Sequence, residues 1–208
     1  MQGTIFKENI MGNIWFISDQ HHCHANILTF RNEVTGELIR PGFKDVDEMD
    51  ETMIERYNSV VTDQCKVYFL GDVCFGNKEK LERIMRRLKG KKRLCLGNHD
   101  AQSYKITEYA KYFQKVMLWR QFKDMPYPFI ACHVPMHTDG LYGRSCAWNV
   151  HGHIHERIVY TEFNMMSYIH GGLQEPDKRY INVCVEQTNY TPVHMDELQQ
   201  RMKDSGLR

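Results

Sequence analysis

The chain has 208 residues, which is long enough to bury a core, and it is predicted to form a single domain over residues 1–208. Its 27 Lys and Arg residues nearly balance its 26 Asp and Glu residues, which excludes a global attraction to nucleic acid or to a membrane surface and leaves only a local basic face open. No apolar run is long enough to cross a bilayer and the N-terminus lacks the apolar core of a signal peptide, so a cytoplasmic location is expected.

Six short apolar runs are distributed along the chain. They cover residues 13–18, 66–71, 93–97, 128–133, 147–152 and 181–186. Their length and their content of aliphatic and aromatic residues favour strands that are buried on both faces, although a buried helix stays open for each run taken alone.

Helical patterns lie between these runs. Residues 45–61 carry apolar side chains at helical spacing with acidic residues early in the segment. Residues 77–90 predict a second helix, with Asn77 as its N-cap and Gly90 at its end. Residues 103–116 have a third helical pattern. The alternation of strands and helices predicts an α/β fold.

The seven cysteines are scattered along the chain. Their number is odd, and no CxxC pair occurs. Because most of them lie in apolar runs, they are interpreted as reduced, buried thiols.

Polar side chains with metal-binding chemistry follow five of the runs. They are Asp19, His21, Asp72, Asn98, His99, Asp100, His133, His151, His153 and His155. Any one of them has an ordinary explanation, such as a turn, a helix cap, a hydrogen-bonded structural histidine or adventitious metal binding on a surface loop. Ligands of open α/β sheets, however, bind beyond the carboxyl ends of strands. Acids and imidazoles delivered together to that edge predict a transition-metal site.

The same residues form an ordered pattern that resembles the calcineurin-like metallophosphoesterase superfamily, also called the metallo-dependent phosphatases. That superfamily has D-x-H, G-D, G-N-H-D/E, a single H and G-H-x-H. The chain has "DQH" at 19–21, "GD" at 71–72, "GNHD" at 97–100, His133 and "GHIH" at 152–155. The likeness spans residues 13–198, and "SDQHHCHANI" and "NYTPV" resemble its small stand-alone bacterial and phage branch. It implies a two-sheet αββα sandwich with metals at one edge.

The resemblance also implies a ligand set for two divalent metal ions. One ion would be held by Asp19, His21, Asp72 and His155. The other would be held by Asp72, Asn98, His133 and His153. Asp72 would bridge the pair. Mixed nitrogen and oxygen ligands suit Mn²⁺, which is the first expectation, with Fe, Zn, Co or Ni as alternatives.

The implied activity is hydrolysis of phosphate mono- or diesters through a metal-bridging hydroxide, with His99 as general acid and Asp72 as the catalytic bridge. A purely hydrogen-bonding role for His99 stays open. The substrate would be a phosphate ester, with nucleotides and nucleic acids among the alternatives. The text "GDVCFGN" lacks the second Asp and the Arg of the "GDxxDRG" motif of large protein Ser/Thr phosphatases, which argues against that type.

Two rival functions use the same fold. One is a nuclease, which needs a basic groove, and the basic stretch at 86–93 is interpreted as solvated surface instead. The other is a non-catalytic scaffold with a decayed metal site, which the complete ligand set disfavours. The sequence predicts no membrane partner and leaves the oligomeric state open.

Three residues are candidates for substrate contact, namely His24, Arg31 and Arg40. His24 matches the branch pattern, and an arginine fork could grip a phosphate, although an exposed arginine is the default. Roles for His22, Cys23 and His151 are left open. His137 and Arg144 lie in a loop that either shapes the substrate mouth or only connects two strands.

Overall fold

The computed structural model describes residues 13–103, 106–141, 145–161 and 175–207. Within these ranges the strands are β1 Ile14–Ile17, β2 Lys66–Phe69, β3 Lys91–Cys95, β4 Lys115–Met117, β5 Trp119–Phe122, β6 Phe129–Cys132, β7 Trp148–His151, β8 Tyr180–Asn182 and β9 Val193–His194. The α-helices are α1 Val46–Val60, α2 Lys78–Met85, α3 Asn98–Ser103, α4 Ile106–Tyr109 and α5 Met195–Asp204.

The strands form two mixed sheets. The first has the order β4-β3-β2-β1-β9 and the second has the order β5-β6-β7-β8. Strands β1 to β4 are parallel, and so are β6 to β8, whereas β9 and β5 run antiparallel at sheet edges. This arrangement confirms the predicted α/β sandwich. Because parallel strands point the same way, their carboxyl ends gather at one edge of each sheet.

Helices α1 and α2 cover the outer face of the first sheet. The predicted N-cap of α2 is confirmed, since Asn77 Oδ1 accepts from the Lys80 amide at 3.1 Å, and α1 is capped by Asp45, whose Oδ1 accepts from the Glu48 amide at 3.0 Å. The core under these helices is made by buried residues that include Met53, Tyr57, Val67, Phe69, Leu81 and Ile84.

A second core fills the space between the two sheets. Its buried members include Phe16, Tyr68, Leu70, Cys95, Phe122, Phe129, Trp148 and Val150. Met195, Leu198 and Met202 of α5 pack into the same core. These three residues follow helical spacing, so α5 could have been predicted from the sequence.

Three predicted elements differ from the structure. Helix α2 ends at Met85, and Gly90, with φ +86°, lies in the turn that leads into β3. The helical prediction for residues 103–116 is wrong over most of its length, because α4 is a single turn and Lys115–Met117 pairs with β3 as a strand. Residues 104–105 of that segment lie outside the described part. The run at 181–186 contributes only the end of β8 before the chain turns into a 3-10 helix.

The two sheets are joined next to the predicted metal ligands. Ser18, directly after β1, makes a parallel bridge with Cys184, which follows β8. The Ser18 amide donates to the Val183 carbonyl at 3.1 Å, and the Val185 amide donates to the Ser18 carbonyl at 3.1 Å. The bridge therefore fixes the end of β1 relative to the second sheet.

The cysteines agree with the sequence prediction of buried thiols. All seven are free, and six of them are buried, with Cys23 half-buried. Separately, none of the helices in the described ranges has both the length and the hydropathy that a bilayer crossing requires.

Candidate metal centre

The strand ends bring the predicted ligands of both sheets together. Asp19 and His21 follow β1, Asp72 follows β2, and Asn98 begins α3 after β3. From the second sheet, His133 follows β6, and His153 and His155 follow β7. Two groups result, each with its ligand atoms within 4.8 Å of one another: Asp19 with His21 and His155, and Asp72 with His133 and His153.

The first group leaves buried ligand atoms without partners. Asp19 Oδ1 lies 3.7 Å from His21 Nε2 and 3.9 Å from His155 Nε2, which is beyond hydrogen-bonding distance. Asp19 Oδ1 and His21 Nε2 are both buried and have no hydrogen-bond partner among the described residues. Since a buried polar atom without a partner is costly, these atoms are suited to a cation between them.

The second group is held in a metal-binding orientation. Nδ1 of His133 lies 2.7 Å from the Leu70 carbonyl, to which its N–H donates, so the Nε2 lone pair points into the site. That Nε2 lies 3.4 Å from Asp72 Oδ2 and 2.9 Å from Asn98 Oδ1. Two atoms that bind a cation at about 2.1 Å and at right angles are about 3 Å apart, which is the spacing of the imidazole and the amide oxygen.

One oxygen of Asp72 faces both groups. Asp72 Oδ2 lies 3.4 Å from His133 Nε2 and 3.7 Å from His21 Nε2. The other oxygen is occupied, because Oδ1 accepts from the His99 amide at 3.0 Å. Asp72 therefore lies between the groups with one oxygen anchored and the other available to both.

The Asp19 carboxylate is anchored in a similar way. Its Oδ2 accepts from the Ser18 hydroxyl at 2.5 Å, from the His153 amide at 2.8 Å and from the Cys184 thiol at 3.2 Å. Burial alone would raise the pKa of this carboxyl, but the neighbouring imidazoles of His21 and His133 outweigh burial and hold the pKa below its usual range. The group is thus kept as an anion.

Glycines precede the ligands because no side chain fits. A Cβ on Gly71, which has φ +94°, would lie 2.6 Å from His133 Nδ1 and from the Gly97 Cα. A Cβ on Gly97 would overlap Asp72 Oδ1, and one on Gly152 would overlap the Ser18 hydroxyl and Asp19 Oδ2. The motif glycines therefore let the backbone approach the two carboxylates closely.

A buried arginine lies behind the first group, and its position corrects an expectation. Arg40 is 1% exposed, and its guanidinium donates to the Asp19 and Gln20 carbonyls and, over 2.7 Å, to Glu186 Oε1. With its side chain fully buried in these contacts, Arg40 cannot grip a substrate phosphate from the site mouth.

Glu186 is a site residue that the sequence analysis missed. Its Oε1 accepts from His155 Nδ1 at 2.9 Å, which orients the His155 Nε2 lone pair toward Asp19. Burial would raise the pKa of Glu186, but Arg40 and His155 lower it. The available signal was that Glu186 is the acid that ends the last apolar run, in a stretch with no family motif.

His99 and His24 line the mouth of the centre with Phe75. The His99 side chain is 40% exposed, and its Nε2 lies 4.0 Å from Asp72 Oδ2. His24 stacks on Phe75 with ring centroids 4.0 Å apart, and Phe75 also contacts His99 at 4.8 Å. Burial, followed by the neighbouring His21, lowers the pKa of His24 to about 4. An uncharged His24 is therefore the form next to the ligands.

The remaining candidates are placed as follows. Arg31 is exposed, donates to the Gly36 carbonyl at 2.8 Å and lines a small cavity with His155. His22 is buried, with Nδ1 3.0 Å from Asp50 Oδ1.

Cys23 is tied to the same carboxylate, because its amide also donates to Asp50. His151 is buried in β7 with Nδ1 2.9 Å from the Gly152 carbonyl. His137 is exposed. Arg144 lies outside the described residues.

Together, the fold and this site define an α/β sandwich with two His/Asp groups at its strand ends that are able to hold metal ions. The chain belongs to the same family as "Uncharacterized protein MJ1445" of Methanocaldococcus jannaschii, with which it is 35% identical over 190 residues, 89% of each chain. No family model matches the sequence.

Two solved structures are similar in fold. The protein of unknown function AQ665 from Aquifex aeolicus matches with a TM-score of 0.62 and 21% identity, covering 90% of this chain and 97% of its own. An archaeal phosphodiesterase matches with a TM-score of 0.43 and 16% identity over 81% of both chains. At this level of identity, the AQ665 match supports the fold alone.

Proposed function

We propose that this protein hydrolyses phosphate mono- or diesters at a centre of two divalent metal ions. The observation that carries the proposal is the position of Asp72, whose Oδ2 is within 4 Å of an imidazole nitrogen from each ligand group. Two cations that lie close together repel each other, and a shared carboxylate oxygen offsets that repulsion.

The residues present fit such ions. Within the part of the chain that the structure describes, Asp19 Oδ1 and His21 Nε2 are buried without hydrogen-bond partners. The Nε2 atoms of His133 and His155 are oriented by the bonds that their Nδ1 atoms make to Leu70 and Glu186. When bound, divalent metals supply Lewis-acid chemistry, because they polarise phosphoryl oxygens and lower the pKa of bound water. Mn²⁺ is the proposed ion.

The charge of the ligand set favours an anionic substrate. Only Asp19 and Asp72 among the seven proposed ligands are carboxylates, so the loaded site keeps a net positive charge. A phosphate ester is attracted to that charge and can reach the site next to His99, whose side chain is half-exposed to solvent.

We assign His99 the role of general acid. Its backbone amide donates to Asp72 Oδ1, which fixes the His99 backbone relative to the proposed bridge, and its Nε2 lies 4.0 Å from Asp72 Oδ2. From there the Nε2–H would donate its proton to the leaving oxygen of the ester. Positioned proton donors of this kind contribute about 10²–10⁴-fold to rate.

The proposal is tested with purified protein that is stripped by a chelator and reloaded one metal at a time. Activity is measured on phosphate monoesters, diesters, cyclic nucleotides and oligonucleotides, and bound metal is counted by mass spectrometry. We expect chelation to abolish turnover, Mn²⁺ to restore it, and two ions to bind per chain.

Asp72→Asn is the decisive variant. It removes one negative charge between the two ligand groups, so at least one ion should bind more weakly and activity should fall by orders of magnitude while the fold survives. The matched control is Asp63→Asn, which makes the same change at an exposed side chain in the turn before β2. Full activity of Asp72→Asn at limiting metal, or no more than one ion bound in excess Mn²⁺, contradicts the proposal.

A further inference from the structure

A cavity opens at the end of the sandwich opposite the metal centre, where strands β1 to β4 begin. Its volume is about 400 Å³. The metal centre lies at the carboxyl ends of the same parallel strands, so the length of the sheet separates the two. The lining residues that matter here are Lys66, Tyr68, Arg93, Lys115, Trp119 and Arg120.

The cations of this cavity occupy inward-facing positions of the first sheet. Side chains two residues apart in a strand point to the same face. Lys66 therefore shares a face with Tyr68, and Arg93 shares a face with Cys95, and both Tyr68 and Cys95 belong to the core between the sheets. In the same way, Lys115 lies on the face of Met117, which packs against that core.

The second sheet adds a cation from the opposite side. Arg120 in β5 shares a face with Phe122, another member of the core between the sheets. Its guanidinium carbon lies 5.8 Å from the Phe122 ring centroid. Both sheets therefore contribute cations to the lining of one cavity, in which Arg93 is half-buried and Lys66, Lys115 and Arg120 are exposed.

No acidic residue offsets this charge in the part of the chain that the structure describes. The lining contains no Asp or Glu, and no described carboxylate forms an ion pair with the four cations. Arg93 instead contacts Tyr68, with its guanidinium carbon 5.4 Å from the ring centroid and Nη1 3.3 Å from the hydroxyl. Lys115 is the direct neighbour of Arg93 in the β3–β4 register. Like charges at neighbouring positions are unfavourable unless an anion lies between them.

We propose that this cavity binds a compact oligophosphate anion, carried either by an inorganic oligophosphate or by a nucleotide. The four cations can contact several phosphate oxygens at once, and Arg93 and Arg120 provide the planar donor geometry that suits them. Trp119, 48% exposed at the rim, offers a ring face on which a base can stack. The site is separate from the metal centre and does not depend on the proposed hydrolysis.

The test uses the full chain in EDTA, so that metal-bound phosphate does not contribute. Binding of tripolyphosphate and of ATP is measured by calorimetry and by the part of the tryptophan fluorescence change that Trp119→Leu removes. Both Lys115→Gln and Arg120→Gln should weaken binding roughly tenfold or more, as expected for the loss of a charged hydrogen bond. Lys123→Gln, which makes the same charge change outside the lining, should leave binding unchanged. Asp72→Asn should bind both probes like the wild type.

The two probes distinguish the sources of the phosphates. Tighter binding of ATP than of tripolyphosphate, with the difference removed by Trp119→Leu, identifies a nucleotide. Equal binding identifies an inorganic oligophosphate. The proposal is overturned if neither probe saturates the protein at millimolar concentration, if Lys115→Gln and Lys123→Gln behave alike, or if Asp72→Asn abolishes binding. It is also overturned if a single-stranded oligonucleotide binds and tripolyphosphate does not.

Discussion

Replacing Arg40 by Met should strongly destabilise the protein and disturb the first ligand group. Methionine keeps much of the length of the side chain but removes every donor. The Asp19 and Gln20 carbonyls each lose a charged donor, and Glu186 keeps a buried negative charge without its cation. His155 then depends on a carboxylate that is no longer fixed on its other side.

The expected cost follows from the burial of the pair. The side chains of Arg40 and Glu186 are 0% and 4% exposed, so solvent cannot replace the lost partner. Removing one member of a buried ion pair costs about 3–5 kcal/mol. For a chain of this size, each kcal/mol lowers the melting temperature by about 2–4 °C, so we expect a decrease of roughly 6–20 °C.

Urea and thermal unfolding of the metal-free protein measure this effect. The matched control is Arg87→Met, because Arg87 also contacts a carboxylate, that of Glu51, but does so on the surface and through two nitrogens. The Arg87 and Glu51 side chains are 41% and 54% exposed, so this loss should cost less than about 1 kcal/mol. A double variant, Arg40→Met with Glu186→Gln, should be less destabilised than the sum of the single variants, because the orphaned charge is gone.

The reasoning is refuted if Arg40→Met costs no more than Arg87→Met. It is also refuted if the double variant is as unstable as the two single costs added together, since the pair would then not be coupled. If Arg40→Met loses stability without losing metal affinity, the ion pair stabilises the fold but does not orient His155 for metal binding.

Three further predictions concern other parts of the centre. The pKa of Glu186 is lowered from 4.5 in the folded chain, so its contribution to stability is full above that pH and is lost as the pH falls through the folded value. The unfolding free energy of metal-free Glu186→Gln should therefore depend less on pH below about 4.5 than that of the wild type. Gly152→Ala places a methyl group against Ser18 and the Asp19 carboxylate, so metal titration should show weakened binding at the first ligand group; unchanged metal affinity would contradict the close approach. His99→Ala should lower kcat on an alkyl phosphate ester by about 10²–10⁴-fold, and far less on a nitrophenyl ester, whose leaving group needs no proton; equal losses on both esters would assign His99 to phosphate binding.

The sequence predicts a strand well where buried apolar residues are consecutive in the chain and a ligand residue follows them. Strands such as β1 and β6 are continuous apolar runs that are followed by Asp19 and His133, so both the strand and the polar residue at its end can be recognised in the sequence. The edge strand β5 contains Trp119 and Arg120 in exposed positions and gives no apolar run. Strand β4 is three residues long and is defined by its pairing with β3 rather than by its own composition. Edge strands of this kind depend on pairing with a neighbouring strand, so local sequence patterns do not predict them.

The supporting residues of the site were hidden for a different reason. Glu186 and Arg40 are 146 positions apart in sequence, and neither lies in a metal motif. An arginine in a polar loop is expected at the surface, because burying a charge is costly unless it is paired. Only the tertiary structure shows that the loop turns inward and places the pair behind Asp19 and His155. Sequence patterns therefore identify the ligands better than the residues that orient them.

Backbone conformation connects the fold to the choice of ligand residues. Eight described residues other than glycine have positive φ, and five of them are proposed ligands: Asp19, His21, Asp72, His153 and His155. Such conformations cost of order 1–3 kcal/mol each and persist only where surrounding contacts hold them. The contacts on Asp19 Oδ2 and Asp72 Oδ1 provide that restraint. Glycine would relieve the strain but supplies no ligand atom, whereas Asp and His tolerate the left-handed region better than most side chains and also bind metals. The turns after the strands thus select the same residue types that the chemistry requires.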